Sequence, residues 1–295
     1  MSLQRIRQWY QHWGGEVYVS FSGGMDSTVL LHLARSIYPD APAVFMHSLP
    51  YPEILEHVRA TENVMILRPV KSFRRIVKEY GWPVISKKIA MGVDRYQVGD
   101  DTQKQLRLYG GINPTSGKKQ APTISQRWHF LVNAPFKISN RCCYWMKKKP
   151  AKIARKMHGC PLIGMRATES DVRQQEYYRR GCNSFDSHNP SSWPLAFWLD
   201  SDIWEYIRQF DVPYSSIYDM GYTRTGCFPC MFGIHLEKEP NRFQRMRQTH
   251  PKLWRYCENI GIPEVLDYIN VPHNEPAQPP LFEYSASGHL LMEAN

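Results

Sequence analysis

A chain of 295 residues with 42% apolar side chains is long enough for one well-buried α/β domain with an elaboration, or for two small domains. Its formal net charge of +10 points to a polyanionic partner, a highly phosphorylated nucleotide or a nucleic acid, and charge by itself does not choose between them. No run approaches the roughly 18 apolar residues of a membrane span, the first residues lack the apolar core of an export signal, and seven cysteines do not require a disulfide framework in a chain this long, so the expected setting is cytoplasmic, with no membrane partner.

Residues Val17 to Thr28 read Val-Tyr-Val-Ser-Phe-Ser-Gly-Gly-Met-Asp-Ser-Thr, followed by the helical run Val29-Leu30-Leu31-His32-Leu33-Ala34. A strand that feeds a glycine turn into a helix aims backbone N–H groups and the positive end of the helix dipole at one point, so an anion belongs there. Gly23 and Gly24 permit positive φ and put no Cβ between backbone and phosphate, while the hydroxyls of Ser22, Ser27 and Thr28 offer further donors. Asp26 is read as the helix cap. Ser20 to Thr28 is thus the candidate nucleotide-binding segment. A lone glycine pair would be an ordinary strand-to-helix turn; Asp-Ser-Thr following in register favours the anion reading. No Gly-Lys-Ser/Thr ending of the Walker type is present.

Downstream, Ala43 to Met46 reads as a buried strand, Glu53 to Arg59 as a helix opened by Tyr51-Pro52, Val64 to Leu67 as a third strand, and Ser72 to Tyr80 as a helix ending at Gly81. Strand and helix in alternation predict a doubly wound, mostly parallel α/β sheet covered on both faces, with ligands beyond the carboxyl ends of its strands. Ser86 to Ser125 is polar, with little sustained periodicity, and reads as an insertion or lid. Helical pattern returns from Lys147 to His158, Pro161 to Met165 reads as another strand, and Asp200 or Ser201 caps a helix over Asp202 to Phe210. A last helical region covers Asn241 to Asn259, and the prolines from Pro272 onward predict an irregular tail. The expected organisation is one α/β domain over 1–235, with 86–125 inserted, and a helical extension and tail over 236–295.

Two cysteine pairs stand out: Arg141-Cys142-Cys143-Tyr144-Trp145-Met146-Lys147 and Gly226-Cys227-Phe228-Pro229-Cys230. Four thiolates converging on one site suit an iron–sulfur cluster or zinc. Adjacent cysteines fit zinc less comfortably, because zinc ligands usually pair two to four residues apart; unligated buried cysteines are the third reading. Cys160, Cys182 and Cys257 lack a partner spacing and read as incidental thiols. In Gly164-Met165-Arg166-Ala167-Thr168-Glu169-Ser170-Asp171-Val172-Arg173, placed after a strand, Arg166 and Arg173 suit bidentate binding of phosphate or sulfate oxygens, with Glu169 holding one of them. The plainer reading is an exposed Arg–Glu network.

The loop resembles that of the N-type ATP pyrophosphatases, of the adenine nucleotide alpha hydrolase type, and the chain as a whole resembles the phosphoadenosine-phosphosulfate (PAPS) reductase family within them. Tandem Cys-Cys with Lys147 four residues beyond its second member, and a later Gly-Cys-x-x-Cys, is similar to the 4Fe-4S motif of assimilatory adenylylsulfate reductases. By that resemblance Cys142, Cys143, Cys227 and Cys230 are cluster ligands, and Lys147 is a cation near both the cluster and the substrate's phosphates. Gly164 to Arg173 resembles the family's Gly-x-Arg-x-x-Glu-Ser-x-x-Arg element, and Trp193 to Gly226 resembles the stretch leading into the second cysteine pair. The resemblance implies ATP or a sulfonucleotide bound at Ser20, Ser22, Gly23, Gly24, Asp26, Ser27 and Thr28 with Arg166, Glu169 and Arg173, magnesium bridging the phosphates, and Asp26, Lys147 and Arg166 in catalysis.

The chain departs from the family at two places. Sulfonucleotide reductases carry a nucleophilic cysteine in a Glu-Cys-Gly-Leu-His segment, whereas Phe282 to Leu290 contains none and Cys257 lies in a helical Trp-Arg-Tyr-Cys-Glu-Asn context. After the second strand, His47-Ser48-Leu49-Pro50 replaces an Asp- or Asn-Thr-Gly turn. The expectation is therefore an enzyme of the sulfur-insertion branch: ATP adenylates an oxygen of a nucleic acid or nucleotide acceptor, pyrophosphate leaves at Ser22 to Thr28, and sulfur from a donor such as a cysteine desulfurase displaces AMP. The alternative is an adenylylsulfate or phosphoadenylylsulfate reductase in which Cys257 or a partner's thiol, such as that of thioredoxin, replaces the missing cysteine. A third reading is a non-catalytic nucleotide- or nucleic-acid-binding protein.

Overall fold

The computed structural model describes residues 1–274, together with the backbone of the short strand pair 283–284 and 290–291. Of the tail expected to be irregular from Pro272 onward, 272–274 carry no regular element and 283–284 pair antiparallel with 290–291; the rest lies outside the described residues. The chain forms two compact units that interleave in sequence: Met1–Pro69 with Lys147–Cys227 and the strand pair 283–284 and 290–291, and Val70–Met146 with the described residues 228–274. In chain order the strands are β1 (Val17–Phe21), β2 (Ala43–Met46), β3 (Val64–Leu67), β4 (Val84–Ile85), β5 (Gly111–Ile112), β6 (Lys119–Gln120), β7 (Cys160–Ile163), β8 (Asn183–Ser184), β9 (Ser191–Ser192) and β10 (Met231–Phe232).

The first unit holds a six-stranded sheet in the order β3-β2-β1-β7-β9-β8. β1 pairs in parallel with β2 and with β7, β2 with β3, and β7 with β9; the edge strand β8 is antiparallel to β9. Val17, Tyr18, Val19 and Phe21 are all buried, as a strand covered on both faces requires. The doubly wound parallel sheet is therefore as the alternation predicts, and β2 and β3 fall on the expected residues. Because the chain leaves β1 for β2 and β3 on one side and returns as β7 on the other, the order reverses beside β1. Such a reversal opens a crevice at the carboxyl ends of the strands, which is where an α/β sheet binds its ligand.

Three local expectations are corrected in this unit. The loop helix spans Met25–Arg35 and starts earlier than Val29, because the Thr28 N–H already reaches the Gly24 carbonyl at 3.0 Å. Gly24 is its cap, and Asp26 sits inside the first turn with its carboxylate released for other work. The helix at Asp200–Gln209 begins at Asp200, and Asp202 accepts the Leu199 N–H at 2.8 Å. The strand read over Pro161 to Met165 runs from Cys160 to Ile163.

In the second unit β4 pairs in parallel with β10. The helix expected over Ser72 to Tyr80 spans Phe73–Tyr80, with Ser72 as its cap and Gly81 at its end. Residues 86–125, read as aperiodic, form helices Lys87–Val98 and Asp101–Leu108 and the β5–β6 hairpin. Ser86 and Asp100 cap the two helices by accepting the N–H groups of Ile89 (3.1 Å) and Gln103 (2.8 Å). The periodicity was masked because Ile89, Ala90, Gly92 and Val93 are the only residues of the longer helix that are buried, against a largely polar remainder. The single helical region expected over Asn241 to Asn259 is instead Arg242–Thr249, Pro251–Ile260 and Ile262–Tyr268. Pro251 starts a new helix because it has no N–H to continue the old one.

Candidate active site

The loop after β1 and the segment after β7 meet at the reversal of strand order. Gly23 has φ +73, and a Cβ there would stand 2.9 Å from Ile54 Cγ2, so both conformation and space demand glycine. The Ser22 N–H donates to Ser27 Oγ at 3.1 Å, the two hydroxyls lie 3.0 Å apart, and Ser27 Oγ donates to the Gly24 carbonyl at 2.9 Å. Thr28 Oγ1 donates to that same carbonyl at 3.1 Å and sits 3.1 Å from His57 Nε2. Ser27 and Thr28 are both buried, so their hydroxyls fix the loop from within. Ser20 lies in β1 between Val44 and Ile163.

Arg166 is 4% exposed, and its guanidinium is divided between two carboxylates: Nε donates to Asp26 Oδ1 at 2.7 Å and Nη2 to Asp200 Oδ1 at 2.6 Å. The expected bidentate phosphate ligand is therefore a clamp joining the loop helix to the start of helix Asp200–Gln209. Glu169 takes the Arg166 backbone N–H at 2.9 Å and pairs with Arg173 through its other oxygen, so it does hold one of the two arginines. Burial pushes the Asp26 carboxyl above its ordinary pKa, and the Arg166 guanidinium opposes that rise. Burial lowers the pKa of Arg173; Asp26 supports its charge, while Arg224 and Arg166 disfavour it. Three guanidinium groups thus share one field at the helix N-terminus, and an arriving anion would relieve their mutual repulsion.

Three contributors were not legible in the sequence. Tyr218, 3% exposed, accepts the Met25 N–H at 2.9 Å, and its hydroxyl lies 3.3 Å from Thr225 Oγ1. Asp200 clamps Arg166 from a helix start, and Arg224 joins Arg173 from the segment before Cys227. Replacing Tyr218 with phenylalanine leaves the Met25 N–H without its acceptor at little change in volume. The expected loss is about 1 kcal/mol in stability, read by urea denaturation, with weaker nucleotide binding in isothermal titration. Unchanged stability and affinity would remove the tyrosine from the loop's support.

The two units divide the four cysteines between them. Cys142 and Cys143 belong to the second unit, with Sγ atoms 4.0 Å apart, and Cys230 belongs to it as well, its carbonyl accepting from Arg242 Nη1 at 3.1 Å. In the first unit the exposed Lys147 opens the second segment and Cys227 ends it. Among the described residues no three Cys, His, Asp or Glu side chains are gathered as a metal site. In number and softness the four thiols of the two pairs suit a cluster.

A glycine loop feeding a helix N-terminus at the switch point of a parallel sheet, backed by the buried Arg166, defines a nucleotide-binding α/β protein. The profile of the phosphoadenosine phosphosulfate reductase domain family matches residues 16–86 and 95–232, so the chain belongs to that family. The adenosine 5′-phosphosulfate reductase of Staphylococcus epidermidis is 26% identical over 227 residues, spanning 76% of this chain and 74% of its own. That of Lysinibacillus sphaericus is 24% identical over 230 residues, spanning 78% and 79%. The crystal structure of the PAPS reductase of Candida auris, a phosphate complex, aligns over 77% of this chain and 88% of its own at 18% identity and a TM-score of 0.45. Among the described residues no helix is long and apolar enough to cross a membrane.

Proposed function

We propose that the protein is a sulfonucleotide reductase of the adenylylsulfate type whose attacking thiol comes from a partner. The observation that carries the reading is the anion site of the first unit: loop Ser22 to Thr28, Arg173 and Arg224 around one helix N-terminus. It suits a mixed phosphate–sulfate anhydride, and the family relatives of this size that bear the reductase name support the assignment. In the chemistry, a thiolate attacks the sulfonucleotide sulfur, an S–S bond forms, and the S–O bond to phosphate breaks, releasing AMP. A second thiol then attacks the sulfur of the first, releasing sulfite and leaving a disulfide. Two electrons pass from the thiol pair to sulfur, so the balance needs a dithiol such as reduced thioredoxin.

Cys257 does not suit the role of attacking thiol. It is fully buried, and burial pushes its pKa up to about 12, so the thiolate is scarce at neutral pH. The 4Fe-4S cluster belongs to this reading as a cofactor on Cys142, Cys143, Cys227 and Cys230, where it would supply an electrostatic or redox-active centre beside Lys147. Iron and sulfide analysis of protein purified without oxygen tests it.

The second reading, ATP-dependent sulfur insertion with magnesium and a sulfur donor, is favoured by one observation: Cys257 is the only cysteine between residues 231 and 295. The deciding experiment incubates the protein with adenylylsulfate and reduced thioredoxin, and in parallel with ATP and magnesium. Sulfite and AMP in the first tube are the expected result. Pyrophosphate from ATP without sulfite would transfer the assignment to sulfur insertion, and nucleotide binding with no turnover in either tube would make it a binding protein.

A further inference from the structure

Helix Lys149–His158 feeds β7 and carries no acidic residue. Its inner face packs on the sheet. Ala154 packs with Tyr18 and Val44, the His158 ring lies 6.2 Å from that of Tyr18, and Arg155 Nη2 donates to the Pro190 carbonyl at 2.7 Å. The outer face presents Lys148, Lys152 and Lys156, all exposed, at an i, i+4, i+8 spacing that holds because Lys148 itself has helical φ and ψ. Among the described residues none of these three is in an ion pair. Beside them Ile153 and Met157 are 41% and 55% exposed at the next i, i+4 positions.

We propose that this helix face binds the phosphate backbone of a nucleic acid. Four residues of α-helix rise about 6 Å, so the ammonium groups recur at close to two nucleotide steps of a strand, each about 3.4 Å along a duplex axis. Three unneutralised lysines in one row, with nothing acidic on the helix, form a charge complement to a polyanion. The two exposed apolar side chains can lie against sugars or base faces. They are too few for burial in a lipid surface, which needs a broad apolar face, and the other apolar positions of this helix are already turned to the sheet. This surface goes beyond the reductase reading and does not depend on it.

The test is fluorescence anisotropy of a labelled oligonucleotide, single-stranded and duplex, titrated with the protein across a salt series. Three proteins are compared: the wild type, Lys148→Gln/Lys152→Gln/Lys156→Gln, and a control that removes as much charge elsewhere, Lys118→Gln/Lys119→Gln/Lys238→Gln. Wild type is expected to bind with salt-dependent affinity. In the helix variant the slope of log affinity against log salt should fall by about 2 to 3, with affinity down by roughly tenfold or more, while the control keeps the wild-type slope. All three lysines are exposed, and an unchanged melting curve confirms the fold of the variant. Equal slopes in helix variant and wild type, equal loss in the control, or binding to phosphatidylserine vesicles without binding to the oligonucleotide would each overturn the proposal.

Discussion

Replacing Arg166 with methionine is expected to lower stability by about 3 kcal/mol at neutral pH and to abolish nucleotide binding. The reason is asymmetry in what the guanidinium leaves behind. Asp200 has a side chain 76% exposed and returns to water, but the Asp26 side chain is only 24% exposed and loses its opposing charge. Asp26 already has a pKa raised above 3.8 by burial, and without Arg166 it rises further. A carboxyl whose folded pKa is raised makes the native state bind more protons than the unfolded one, so stability falls as pH climbs from 3.8 through the folded value. The variant should therefore approach wild-type stability in acid and diverge from it toward neutrality. Urea denaturation across pH measures this, and a deficit that is constant with pH would show that packing, not charge, is what Arg166 supplies. Arg166→Lys keeps the charge but lacks the planar fork that reaches both carboxylates, and should recover stability only in part.

Gly164→Ala is the second large effect. A Cβ at Gly164 would stand 2.9 Å from both the carbonyl carbon and oxygen of Asp26 and 3.0 Å from the Ser27 nitrogen. Every atom it meets is backbone in the first turn of the loop helix, so no side chain can swing away and the turn itself must shift. Overpacking of this kind costs about 1–3 kcal/mol. It should also misdirect the N–H groups aimed at the anion, reducing nucleotide affinity more than melting temperature alone would suggest. Gly226→Ala is the internal control, since a Cβ there meets nothing within 4 Å. Calorimetry of both variants, with and without nucleotide, decides the matter: matching losses in the two would mean the close approach at Gly164 does not position the loop.

What the sequence disclosed follows from which forces act locally. The β1 strand, the glycine turn, β2 and β3 are set by runs of buried side chains and by backbone freedom, and both are written in adjacent residues. The partner of Arg166 is not, since Asp26 lies 140 positions away and the choice of that carboxylate over a phosphate depends on the fold bringing β1 and β7 side by side. Tyr218 lies in the stretch Trp193 to Gly226 that resembles the family, but its hydroxyl's target, a helix N–H, is not legible there, because sequence patterns say nothing of where a polar tip points. The helices at 87–108 were hidden by their solvated sides, and the breaks between 242 and 268 by a continuous helical pattern across Pro251. Among the cysteines, the pair spacing names a donor set and says nothing of the unit each member joins.

Helix Asp171–Arg180 buries none of its side chains and is held by the Ser170 cap and by Glu176 pairing with Arg179 and Arg180. A ten-residue helix without a packed face has a low opening free energy, because nucleation is costly and surface ion pairs contribute little. Arg173 rides on its first turn, so the arginine reaches the loop only while that turn is wound. Ligand capture and winding are then one equilibrium: an anion at the loop slows amide exchange along the helix, and whatever unwinds the helix discharges the site.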